Sequence, residues 1–434
     1  MSLFGSLTAA ISGLTAQSRA LGNISDNIAN SEITGYKRVD TNFHSYITAS
    51  NQTDNRPGSV IARPAYTNTV QGTIEASDNQ LALAIGGQGF FNVALAKGTI
   101  NGKPTFDDRE FYTRAGDFSR DENGYLKNSE GYYLKGWVVD GTGNPDRTVI
   151  NPIQVDQQVF NPVATTEITL SANLPAVIPL DPITTQAQLY DSLGGLHTVN
   201  LTVSSTLQNH WTMSIDVPDD INNTSRGTAA LDFGTGATPP AADGTIGTVG
   251  AVTGSLTAPA TNALGDPAAV TFSVDFGQGS QTVSLSLGDF GKATGLTQYA
   301  GAEFSLRNLE QNGVPLGAFS SLTTRTNGDV AVSYDNGQSR VIARVPLISF
   351  NNPDKLQRQD GQAFLRSPKA GDAKVTDAAS NGVGKLVIGS IEKSNVDIAS
   401  EFTKLIVAQR AYSANTKVVT TSDEMLQDTI NMRR

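Results

Sequence analysis

The chain contains no cysteine, which excludes disulfides and thiolate metal sites. Oxidising compartments normally favour such staples in β-rich secreted proteins. Their absence suits a reduced cytosolic life, or export through a narrow channel as an unfolded chain that mispaired thiols would harm. Histidine is scarce as well. His44, His197 and His210 are widely spaced, so no zinc site of ordinary ligand spacing is visible. Basic tracts are missing: the formal net charge is −10, and Arg433 and Arg434 are only a pair, which argues against nucleic acid as a partner. No stretch approaches the roughly eighteen consecutive apolar residues of a membrane span, so membrane insertion is not expected. No Lys or Arg precedes Arg19, and Ser, Gly and Thr break up the apolar positions before it. That is not a secretory signal, and the expectation is export, if any, without a cleaved leader.

Catalytic signatures are equally sparse. There is no Gly-x-Ser-x-Gly elbow and no Walker-type phosphate loop. Gly86-Gly87-Gln88-Gly89 runs into the strand-like Phe90-Phe91-Asn92-Val93 and not into a helix, so it reads as a tight turn. Asp121-Glu122-Asn123-Gly124 and the stretch from Asp140 to Asp146 lack the full calcium-loop ligand set and read as ordinary turns. Carboxylates are plentiful, and sequence does not pair them across space, so a glycosidase-like dyad stays open at this level. The expectation is a protein that is not an enzyme, with no cofactor and no metal.

What is present is periodicity at both ends. Leu7, Leu14, Leu21 and Ile28 recur every seven residues in front, with Phe4 and Ile11 between them. Ile398, Leu405, Tyr412, Val419 and Leu426 do the same behind, with Phe402 and Ile430 alongside. Such spacing lays apolar side chains along one stripe of a helix, where they can pack into a partner helix. The plain alternative is an amphipathic helix packed on its own domain. The front segment weakens that alternative. Gly5, Gly13 and Gly22 interrupt it, each internal Gly costing roughly 1 kcal/mol relative to Ala. Arg19 and Asp26 are its only charges. A helix so weak and so poorly charged should order only when neighbours cover it.

Between the stripes the chain is Gly-, Thr- and Asn-rich with strand signals. Residues 31–72 read as an extended connector, with turn signals at Asn55-Arg56-Pro57-Gly58 and Arg63-Pro64. Residues 73–163 read as short strands, with hairpin turns at Asn101-Gly102 and Asn123-Gly124. Residues 164–300 form a second β region, in which 227–269 is dominated by Ala, Gly, Thr and Pro, as long loops or weakly anchored strands. The segment 321–345, punctuated by Asn327-Gly328 and Asn336-Gly337, reads as a three-stranded meander. A second connector spans 366–395. The predicted class is therefore a mainly β body with coiled-coil-like helical termini, built as nested discontinuous domains in an elongated subunit. Helices 1–30 and 396–434 pair, 73–163 with 301–365 form an inner β-domain, and 164–300 form an outer one inserted in it.

Asn27-Ile28-Ala29-Asn30-Ser31-Glu32-Ile33-Thr34-Gly35-Tyr36-Lys37 resembles the N-terminal signature of bacterial flagellar rod and hook axial proteins, with Ile33 where that pattern has Thr. Ser394-Asn395-Val396-Asp397 and Ala408-Gln409-Arg410-Ala411-Tyr412-Ser413-Ala414-Asn415 resemble the matching C-terminal signature. Gly87-Gln88-Gly89-Phe90-Phe91 and Thr113-Arg114-Ala115-Gly116-Asp117-Phe118 are similar to the family's first β-domain. Tyr133-Leu134-Lys135-Gly136-Trp137 and Tyr190-Asp191-Ser192-Leu193-Gly194-Gly195-Leu196-His197 resemble its hook-type members. The resemblance implies a structural subunit of a hollow, flexible helical tube that carries motor torque from rod to filament. It implies an extracellular location and partners that are further copies of the chain, the distal rod protein, the hook-filament junction protein, the hook cap protein and the flagellar export apparatus. A distal rod subunit is the alternative within the family. A secreted β-rich adhesin or carbohydrate-binding protein is the alternative outside it, and that reading leaves the paired heptads unexplained.

Overall fold

The computed structural model describes residues 3–50, 55–141, 143–155, 159–301, 303–380 and 382–432. The chain forms two compact units. The first comprises Met1–Gln157, Ser321–Ser333 and Ser339–Arg434, and the second comprises Gln158–Ser320 and Tyr334–Gln338.

The first unit carries both helices, α1 (Leu3–Ala29) and, at the other end of the chain, α2 (Ile398–Asn431). Asp397 caps α2, its side chain accepting from the Ser400 N–H at 3.0 Å, which satisfies one of the backbone donors a helix start leaves open. Gly13 lies against Asn415, and Asn27 bonds to Glu401, so the two helices run antiparallel. A Cβ at position 13 would sit 3.0 Å from the Asn415 side chain, so here glycine lets the helices close.

Residues 31–72, expected as an extended connector, instead contain a long antiparallel hairpin, β1 (Val39–Ser50) and β2 (Asn55–Tyr66). It packs on α1: the Val60 N–H donates to Ser12 Oγ at 3.1 Å, and Asn23 Nδ2 donates to Thr41 Oγ1 at 2.8 Å. The prolines that suggested a loop are tolerated because both strands of a two-stranded sheet are edges. The weak front helix thus gets part of its cover from its own chain.

The second expected connector, 366–395, also contributes strands. Lys374–Thr376 pairs with Leu347–Ser349, Lys385–Ile388 with Leu83–Gly86, and Ser390–Glu392 with Ile74–Ala76. The body's main sheet includes the strands Phe90–Ile100, Phe111–Thr113, Tyr132–Val138 and Ala363–Leu365. Its core is aromatic: Phe90 meets Phe364 edge-on with ring centroids 5.6 Å apart, and Phe91 meets Phe118 at 5.5 Å. The expected meander forms as Phe319–Thr324, Asp329–Tyr334 and Ser339–Arg344. Gly328 takes φ +91°, as the Asn-Gly turn requires.

The second unit holds a four-stranded and a five-stranded sheet whose inner faces share one core. Alternate residues point inward along each strand, as Ile168, Leu170 and Ala172 do along Glu167–Asn173. The Ala/Gly/Thr-rich stretch supplies two strands, Ser225–Phe233 and Ile246–Val252, and buries Ala229, Leu231, Phe233, Ile246 and Val249. The unit continues past the expected boundary at residue 300 because Ser305–Gln311 pairs with Glu167–Asn173, Leu309 opposite Leu170.

Candidate functional site

The signature residues that follow α1 and precede α2 converge on one buried node. Tyr36 and Lys37 leave the turn after α1, where Gly35 has φ +71° and its position allows no Cβ, since Ala115 N would be 2.5 Å away. The Lys37 ammonium and Glu392 carboxylate are both fully buried and 2.5 Å apart. Arg114 donates to the other carboxylate oxygen at 2.9 Å, and the Gly72 N–H donates to the first at 2.9 Å. One carboxylate therefore faces two cations. Carbonyl dipoles supply the remaining negative potential: Lys37 Nζ donates to Val70 O at 2.7 Å, and Arg114 donates to Gly87 O at 2.7 Å. Burial pulls the Lys37 and Arg114 pKa values below their ordinary ones, with Glu392 opposing the shift in each.

Asn27 ties this node to the helices, and its amide is fully used. Nδ2 donates to Val39 O at 3.0 Å and to Glu401 at 3.1 Å, while Oδ1 accepts from the Val39 N–H at 2.9 Å and the Tyr36 hydroxyl at 3.1 Å. Burial raises the Tyr36 pKa, the nearby Arg358 opposing it. Arg358 stacks over the Tyr36 ring and donates to the Lys37 carbonyl. Asn395 accepts from the Arg38 N–H at 2.7 Å and donates to Val70 O at 3.1 Å. Lys404 bridges Asp40 and Glu401 at 2.8 and 2.6 Å. Burial opposes its charge, but these bonds outweigh burial and its pKa is raised. The arrangement joins the turn after α1, the segment before α2 and the β body through buried ion pairs and hydrogen bonds. It fixes where both helices leave the β body.

The remaining signature residues are scattered around this node. Ser394 is buried and Val396 half-buried, Asn30 donates to Asp26 O, and Asn415 packs against Gly13. Ala29, Gln409 and Arg410 are exposed. Sequence reading missed Glu392, Arg358 and Glu401 as site residues and quoted Arg114 only as part of a motif. The local signal was an acidic residue just ahead of Ser394-Asn395, which says nothing of a partner 355 positions away.

The apolar stripes are placed differently. The helices bury mainly small residues, Ala10, Ala16 and Ala20 with Ile24 on α1, and Ala408 and Ser422 on α2. Leu7, Leu14, Leu21, Ile28, Leu405, Val419 and Leu426 are half-buried. Ile11, Ile398 and Tyr412 are exposed, and Phe4, Phe402 and Ile430 expose 67 %, 50 % and 69 % of their surfaces. Between α1, β1 and α2 opens a groove of about 530 Å³ lined by Ile24, Val39, Phe43, Val407 and Ala408, with Lys404 and Glu401 at its polar side.

Among the described residues no helix is long and apolar enough to cross a membrane, and no cluster of three or more His, Asp or Glu could hold a metal ion. Four family models cover most of the chain: flagella basal body rod protein over residues 7–37, flagellar hook protein FlgE/F/G D1 domain over 84–173, flagellar basal body protein FlaE D2 domain over 165–314, and flagellar basal body rod FlgEFG protein C-terminal over 388–432. The chain is 31 % identical to the flagellar hook protein FlgE of Brucella abortus and 31 % identical to that of Rhizobium meliloti, each alignment covering 100 % of both chains. It is 27 % identical to the flagellar hook protein FlgE of Salmonella typhimurium, over 99 % of this chain and 100 % of that one.

Proposed function

The chain belongs to the flagellar hook protein family, and from that premise we propose how its two helices build the polymer. It is a structural subunit of the bacterial flagellar hook, assembled outside the cell from copies of itself. The polymerisation seam is the pair of stripes Phe4, Leu7, Ile11, Leu14, Leu21, Ile28 and Ile398, Phe402, Leu405, Tyr412, Val419, Leu426. The observation that carries this reading is the inverted burial of the helix pair, which covers its alanines and leaves its largest apolar side chains in water. Contiguous exposed apolar surface of that kind favours association. A neighbouring subunit also fills the groove between α1, β1 and α2. The buried node around Glu392 then holds the helices to the β body so that torque applied at one passes to the other. The distal rod protein, the hook-filament junction protein, the hook cap protein and the export apparatus are the further partners, as the signature resemblance implies.

The test is electron microscopy of concentrated full-length protein beside its Phe402→Asp variant. Wild-type protein forms tubes. The variant stays dispersed, because assembly would bury a charge without a partner. Tubes from the variant at the same concentration would show that the seam runs elsewhere.

A further inference from the structure

We propose that the fold singles out Asn101 for spontaneous deamidation among the Asn-Gly pairs of the described residues. In this reaction the backbone nitrogen of the following residue attacks the Asn side-chain carbonyl carbon. A C–N bond forms, the amide leaves as ammonia, and water then opens the cyclic imide at either carbonyl to give aspartate or isoaspartate. No oxidant or catalyst is needed. Glycine in the following position is the least hindered nucleophile, so chemistry alone treats every Asn-Gly pair alike.

The fold does not. The sequence has six such pairs, at 101, 123, 312, 327, 336 and 381; Asn381 lies outside the described residues, and the fold distinguishes among the other five. In three of them the carboxamide is held at both ends. Asn312 donates to Thr166 and accepts from the Thr166 and Glu167 N–H groups. Asn327 donates to the Asp329 carboxylate and accepts from its N–H, and Asn336 donates to Pro315 O and accepts from the Gln338 N–H. Asn123 has a free side chain, but its nucleophile is engaged: the Gly124 N–H donates to Asp121 O at 3.0 Å, and Gly124 is buried against Val155 O.

Asn101 and Gly102 differ on every count. They form the two-residue turn between the strands Phe90–Ile100 and Lys103–Phe106, with φ of +52° and +76°. Both residues are exposed, and a Cβ on Gly102 would meet nothing within 4 Å. Neither the Asn101 carboxamide nor the Gly102 N–H has a partner among the described residues. Attack requires the turn to open, and here opening is easy: residues 96–100 are exposed, and the pairing slips between Ala96 and Gly98. Deamidation adds a negative charge at the tip. The isoaspartate product also adds a methylene to the backbone and so changes the geometry of the two-residue turn.

The experiment incubates dispersed full-length protein in mildly alkaline buffer and follows each Asn-Gly peptide by mass spectrometry, with isoaspartyl methyltransferase labelling to mark isoaspartate. A sample in denaturant reports the unprotected rates. The Asn101 peptide should convert at least about tenfold faster than those of Asn123, Asn312, Asn327 and Asn336 in native protein. In denaturant the five should converge. One of those four leading Asn101 in native protein, or an Asn101 that stays intact while the denatured chain reacts, overturns the proposal.

Discussion

The sandwich core of the second unit and the helix pair of the first use the same kinds of apolar residue in opposite ways. In the sandwich, Val199, Leu201 and Val203 from one sheet and Val270, Phe272 and Val274 from the other are sealed from water. In the helix pair the sealed residues are mainly alanines, and the phenylalanines face outward. The sandwich is finished as a monomer. In the proposed assembly other copies complete the burial of the helix pair, and the large side chains then mark where association energy is held.

The sharpest test of this contrast is Glu392→Ala. It leaves Lys37 and Arg114 buried without a counter-charge, which should cost about 3–5 kcal/mol. Calorimetry should show the transition of the first unit falling while that of the second stays put, and Glu392→Gln should lose less. Leu201→Ala should do the converse, costing the second unit about 2–5 kcal/mol in cavity and lost transfer energy. A shift of both transitions by either variant would break the view that the units stand on separate cores. Gly13→Leu should cost about 1–3 kcal/mol by overpacking against Asn415, read as a lower Tm of the first unit.

Acid should weaken the second unit more gently. Burial pushes Asp191 and Asp220 up, but N–H donors outweigh it, those of Gly195 and Leu193 for Asp191 and of Asp275, Asn222 and Asn223 for Asp220. Both pKa values end below their ordinary one. Depressed folded-state values mean full stabilisation above the unfolded carboxylate pKa of about 3.9, and its loss as pH falls through the lower folded values. The second unit should therefore soften below about pH 4, and Asp191→Asn should flatten that acid limb. The smallest change in monomer stability belongs to Phe402→Asp, within about 0.5 kcal/mol of wild type, because half of the residue's surface is already in water. A destabilised monomer would mean that Phe402 is part of a finished interface after all.

The helices were legible because seven-residue spacing is a local signal, and so was the 319–344 meander, whose Asn-Gly turns announce themselves. The β1/β2 hairpin was not. Pro57 and Pro64 read as loop residues, and the alternation of Val39, Thr41 and Phe43 gains meaning only once α1 is there to receive one face. The 366–395 strands were hidden for a related reason: each is three or four residues long and pairs with a partner far away in sequence. At the site, periodicity located the apolar stripes but not which residues the helices keep for each other. Lys37 was visible as part of a motif, whereas its partners Glu392 and Arg114 are brought to it only by the folded β body.

That last separation sets an order of events. The carboxylate that neutralises Lys37 lies near the end of the chain, and Arg114 reaches the same carboxylate from the body. During synthesis, then, the front helix can pack on the hairpin that follows it, but Lys37 has no counter-ion until the last segment has emerged and met the β body. A chain that is truncated, or whose body has folded wrongly, leaves Lys37 without its counter-ion. The node is therefore complete only when the whole chain is, since one late carboxylate links the two ends of the molecule through Lys37.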